Sequence, residues 1–172
     1  MKDDFAGKLI AGNANASPKA TWWPRHSHSI GRYLLVSDEA TPNLKKDVRE
    51  TVAAGCVEWE KTLIVPARRG LMLDHARLEM ALVDAVRMKP CDARAIERIG
   101  DQLLDNAIRQ AERYATTMMS FPEATFRKLF EEHVLLFTKT VRLRQEKAPG
   151  RAVEEEEHAN TLALAAFTAE WF

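Results

Sequence analysis

Five histidines carry most of the chemistry open to this chain of 172 residues. His75 lies in "LMLDHARLEMALVDAV", where Leu71, His75, Leu78, Leu82 and Val86 recur at helical spacing, so its ring points with apolar neighbours. His133 holds the same kind of place in the stripe Phe126, Phe130, His133, Phe137 and Val141. His158 falls near the start of the last helix, one position from the stripe through Leu162 and Ala165. Imidazoles on facing helices are a usual way for a bundle to hold a transition metal, because rigid helices fix the ligand vectors. With Glu112 and Glu132 as carboxylate donors, His75, His133 and His158 make up the candidate metal set. The competing reading is that each ring is a core residue satisfied by a single carbonyl or carboxylate.

Two further histidines, His26 and His28, follow Trp22 and Trp23 in "TWWPRHSHS". They could bind a metal ion or a partner, or simply belong to a leader that docks its tryptophans. The acidic run Glu154 to Glu157 reads as a solvated helix start, where negative charge suits the helix dipole. Gly-rich phosphate loops, GxSxG, HExxH and basic stripes with interleaved aromatics are all missing from the sequence. Cys56 and Cys91 form no CxxC pair, and two free thiols fit a reducing compartment.

The elements that must position these groups are helical. The spacing predicts a helix near 43–59, with Leu44, Val48, Val52, Cys56 and Trp59 close to one stripe, ended before Pro66 and the Arg-Arg-Gly that follows. A second helix covers 71–88 and stops at Pro90, and Asp92 then suits the N-cap of a helix near 93–118. That helix keeps Ile96, Ile99, Leu103, Ala107, Ala111, Tyr114 and Met118 three and four apart, a seam of ~40 Å at 1.5 Å per residue. Ser120 and Glu123 have capping-box spacing before a helix near 122–146. A last helix runs from about 152 to the end, with Leu164, Phe167 and Trp171. Connections this short favour antiparallel neighbours, so the expected fold is an all-α, up-down-up-down four-helix bundle with an extra short helix. Residues 1–42, rich in Gly, Asn, Ser and Pro in their first 29 positions, read as an N-terminal arm ahead of a bundle domain over 43–172.

Bulk properties narrow the partners. Lys plus Arg equals Asp plus Glu at 25 each, which gives no global field for nucleic acid or anionic membrane. No run approaches the ~20 apolar residues needed to span a bilayer, and the first residues lack a signal-peptide core. The expectation is a cytoplasmic protein without nucleic-acid or membrane partners. Trp22 and Trp23 in the arm are the expected contact for a protein partner or a second copy.

Three stretches resemble hemerythrin-like domains of bacteria. "VEWEKTLIVPARRGLMLDHARLEMALVDAV" is similar to their opening, a Trp-acidic start and an extended arm leading to an Asp-His element and a Leu-rich helix. "MMSFPEATFRKLFEEHVLLF" resembles their Met, aromatic-Pro and Glu-His element, and "LAAFTAEWF" their last-helix Leu, Phe and Trp pattern. The likeness covers about residues 57–172. It implies that His75 matches the first-helix iron ligand and His133 the second histidine of the third-helix His-x-x-x-His pair. The first histidine of that pair falls on Leu129. The second-helix His-x-x-x-Glu pair falls within "AIRQAERYATTMM", on Arg109 and Arg113 or on Glu112 and Thr116. The histidine and aspartate that follow the terminal Trp element fall beyond Phe172.

A complete diiron centre is therefore not expected. The resemblance implies either no metal or a single ion of iron or zinc. The function expected first is a non-enzymatic binding or signalling module that has lost the diiron oxygen site. The alternative is an oxygen, redox or iron sensor that keeps one metal on the remaining His and Glu residues. An enzyme would need a nucleophile or phosphate cradle that the sequence does not display, and a scaffold role would rest on the exposed aromatics of "TWWP" and "EWF".

Overall fold

A computed structural model of the chain describes residues 18–39, 42–62, 70–88 and 91–172. The remainder of the arm (residues 1–17), Pro66 with the Arg-Arg pair after it, and Pro90 lie outside the described residues. The fold is all-helical: α1 (Pro18–Glu39), α2 (Pro42–Thr62), α3 (Leu71–Arg87), α4 (Ala93–Ala115), α5 (Glu123–Gln145) and α6 (Arg151–Trp171), with no strand among the described residues. Helices α3 to α6 pack in sequence order, each on the next. No helix among the described residues is long and apolar enough to cross a membrane.

The four later helices keep the limits that their apolar stripes predict, to within a few residues. Asp92 caps α4 by accepting from the Ala95 N–H at 3.1 Å. The capping box at Ser120 does not form. Ser120 takes a left-handed φ of 63°, the chain turns there, and Pro122 becomes the residue before α5. Phe121 is buried in between, so the turn is held by its ring.

The largest departure from the sequence expectation is at the N-terminal side. Residues 18–39 form a 22-residue helix that packs on α6, α2 and α3. Its stripe of Trp22, Ile30, Tyr33 and Leu34 joins the same buried core as α3 to α6. Trp22 and Trp23 are 7% and 1% exposed, so their rings are taken up inside the chain rather than displayed as the contact surface of an arm. The helix near 43–59 is likewise not short, running 21 residues with Val48, Val52, Cys56 and Trp59 buried and Leu44 exposed.

A polar junction ties the first three helices together. The Tyr33 hydroxyl donates to the Asp84 carboxylate at 3.0 Å and accepts from Arg49 Nε at 2.8 Å. Arg49 and Lys45 both pair with Asp84, the lysine at 2.7 Å. Carboxylate, phenol and two cations thus link α1, α2 and α3.

Candidate metal centre

The inward face of α3 carries His75 and Glu79 one turn apart, so both side chains leave the helix on one side. His133 meets them from α5 and His26 from α1. All four residues are buried, and one donor atom from each lies within 4.8 Å of every other. The Glu79 carboxylate is the hub. Its Oε2 is 2.8 Å from His26 Nε2, and its Oε1 is 3.2 Å from His133 Nε2 and 3.4 Å from His75 Nε2.

These contacts differ in direction. Only the His133–Glu79 contact has hydrogen-bond geometry. His26 Nε2, His75 Nε2 and Glu79 Oε2 are buried without a hydrogen bond, although each has a neighbour at bonding distance. Buried polar atoms are ordinarily paired, because an unmade bond there forfeits solvation with nothing gained. Lone pairs that approach one another without pointing at one another are what the ligands of a shared cation do. An ion about 2.0–2.1 Å from each donor separates tetrahedral ligands by roughly 3.3 Å; His133 and His75 stand 3.2 and 3.4 Å from Glu79 Oε1, and His26 stands 2.8 Å from its other oxygen. The donor set fits a single metal ion.

Protonation states favour the same use. Burial holds the His75 imidazole below its ordinary range, a pull that the nearby Glu79 carboxylate only partly offsets. Burial alone would raise the Glu79 carboxyl, but the imidazoles of His75 and His26 outweigh it and hold the group well below the usual range. The ionised Glu79 carboxylate is the form that binds metal; its lowering draws on charge at His75 and His26, so an ion would take the place of protons on those rings.

Aromatic rings enclose the cluster. Trp22 stacks on His26 with centroids 4.7 Å apart and planes at 9°, Trp23 sets its edge to His133 at 5.3 Å, and Phe130 packs against His75 at 4.8 Å. Trp23 is itself fixed, donating from Nε1 to Thr168 Oγ1 at 2.9 Å. The first turn of α3 is anchored as well. Buried Glu60 on α2 accepts from the N–H groups of Met72 and Leu73 at 3.1 and 3.2 Å, and Asn106 on α4 donates to the Leu71 carbonyl at 3.0 Å. Such supports fix ligand vectors and exclude water from the donors.

Of the five residues proposed from sequence, His75 and His133 are in the cluster and three are elsewhere. Glu112 is exposed on α4 in a surface hollow with Arg109 and Arg113. Glu132 is exposed on α5 and accepts from Asn160 Nδ2 at 3.1 Å. His158 is half-buried on α6 in the wall of a neighbouring cavity. Of the cluster's other two members, His26 is one of the pair that the sequence offers as a metal or partner contact, and Glu79 is not among the residues it offers. For Glu79 the signal is its i+4 spacing from His75; for His26 it is the i+4 step from Trp22. Comparison with protein-family models, with curated proteins and with solved structures finds no match for this chain.

Proposed function

We propose that this chain is a metal-binding helical module that holds one iron or zinc ion on His26, His75, Glu79 and His133. The observation that carries the reading is the set of buried donor atoms converging on Glu79, those of His26 and His75 without hydrogen-bond direction. Three imidazoles and a carboxylate suit either metal. Of the two functions that the sequence suggests, this supports the metal-dependent sensor over the metal-free module. The ligands come from three helices, so metal occupancy sets how firmly α1 is held against α3 and α5. Binding of this kind stabilises the folded state by mass action and is a physical basis for sensing.

The hemerythrin-like resemblance gains a different register in this proposal. With α1 taken as the first helix of the site, His26 stands at the first-helix histidine, and His75 with Glu79 stands at the His-x-x-x-Glu pair.

The test is metal affinity in the His75→Ala/His133→Ala double variant, measured beside its circular dichroism. The reading expects zinc and iron binding to be lost while helical content stays close to that of the parent. Unchanged metal affinity in a folded double variant would refute it.

A further inference from the structure

One half-buried acid near the cluster, Glu157, is not used by it. A cavity of about 250 Å³ lies between α1, α5 and α6, and its wall includes two of the cluster residues, Glu79 and His133. Glu157 and Thr140 also line it, with Pro24, Ile30 and Phe137 as apolar wall. Glu157 accepts from Thr140 Oγ1 at 2.7 Å, and burial raises its carboxyl above the ordinary value. Thr140 uses one of the lone-pair sites of that carboxylate. Arg144 in the lining pairs through Nη2 with Glu154 at 2.9 Å, while its Nε is buried without a hydrogen bond.

A ligand in this space would share its wall with two of the residues that would hold the ion, Glu79 and His133, and with the Glu157 carboxyl group. The ion's charge and the nearby Arg144 disfavour an organic cation. The volume is below the common range for drug-sized ligands, so the occupant is small. A protic oxygen satisfies both the ion and the carboxyl group: its lone pair can serve the ion as a fifth donor, and its hydroxyl can pair with Glu157 whether that group is ionised or protonated. We propose that the cavity receives a small protic oxygen ligand, an alcohol, hydroxy acid or hydroxamic acid, which gives an oxygen to the ion beside Glu79 and His133 and hydrogen-bonds to Glu157. This rests on the metal reading above.

Gly31 supplies a way to close the cavity. It is part of the lining, and a Cβ built on it meets nothing within 4 Å, so Gly31→Phe adds bulk at the cavity wall. The experiment loads the full chain with Co(II), whose visible absorption reports the ligand field, and titrates acetohydroxamic acid. The wild type should show a saturable spectral change with cobalt retained. Gly31→Phe should keep its cobalt and bind the probe at least about tenfold more weakly. Glu157→Gln should keep its cobalt and also weaken the probe by about tenfold, the loss expected for a hydrogen bond to a charged group. Circular dichroism checks that both variants are folded, and either one alone tests the claim.

Cobalt bound by the wild type with no response to the probe overturns this inference and leaves the metal reading standing. Equal probe affinity in a folded, cobalt-loaded Gly31→Phe or Glu157→Gln, or cobalt stripped from the wild type, overturns it too. Failure of the wild type to bind cobalt overturns the metal reading itself, and this inference with it.

Discussion

His26 Nε2 and Glu79 Oε2, from helices α1 and α3, approach to 2.8 Å inside the core without the direction of a hydrogen bond. This contact makes the N-terminal segment part of the site. His26→Ala should therefore weaken zinc or iron binding by at least about tenfold, since even groups that only support a ligand cost 10–100-fold when removed. Equilibrium competition with a chromophoric chelator measures it. Unaltered affinity would show that the ion, if bound, is held by α3 and α5 alone.

Membership of α1 in the core has its own consequence for stability. Trp23 is 1% exposed, donates to Thr168 and packs on Phe130 with centroids 5.2 Å apart. Trp23→Ala should lower the unfolding free energy by about 3–5 kcal/mol, the usual loss for a buried aromatic. A loosely docked arm would lose within about 0.5 kcal/mol, as surface changes do. Urea denaturation of metal-free protein separates the two.

These two expectations bear on what the sequence made legible. The seams of α3 to α6 are long, unbroken and closed by polar turns, so their residues read directly as helix and core. The first helix obscures itself. Pro24 sits in its interior where a proline removes one backbone bond, Gly31 weakens its propensity, and His26, Ser27 and His28 interrupt the apolar stripe from Trp22 to Leu34. Part of its polar face, His26 with Ser27 and His28, turns toward the cluster and the cavity. The same circumstance hid the site. His75 and His133 announce themselves as rings in apolar stripes, whereas Glu79 looks like any helix-surface glutamate until α1 covers it. Glu112 and Glu132 look the same in sequence and remain exposed. Which glutamate turns inward depends on tertiary packing.

Glu60 offers a test of how the site is held from outside. Its carboxylate accepts two N–H groups in the first turn of α3 and is itself buried. Glu60→Ala should destabilise the fold by about 1–2 kcal/mol, as loss of a helix cap does. It should also lower metal affinity by less than His26→Ala, because it supports a ligand helix without touching the ion. A larger metal effect than that of His26→Ala would place Glu60 among the ligands.

The metal-free protein should lose stability as the solution is acidified, in two stages of one sign. The His75 value is lowered by folding, so below its ordinary value of 6.5 the unfolded chain binds a proton that the folded chain refuses. Its share of stability is complete above that pH and shrinks as pH falls toward the folded value. Glu79 is also lowered, so its contribution is present above its ordinary value of 4.5 and is lost as pH falls through the folded one. Urea midpoints at pH 8 and pH 5.5 read the first stage. The drop should be smaller in His75→Gln, and an equal drop there would assign the sensitivity to another group.

Metal content tests the central claim most directly. Untagged protein, purified without chelator or heating, should carry close to one equivalent of iron or zinc per chain by mass spectrometry of the acid-digested sample. Stripped protein should regain that equivalent on dialysis against either ion. Protein that purifies without metal and takes up no iron or zinc under those conditions would contradict the account.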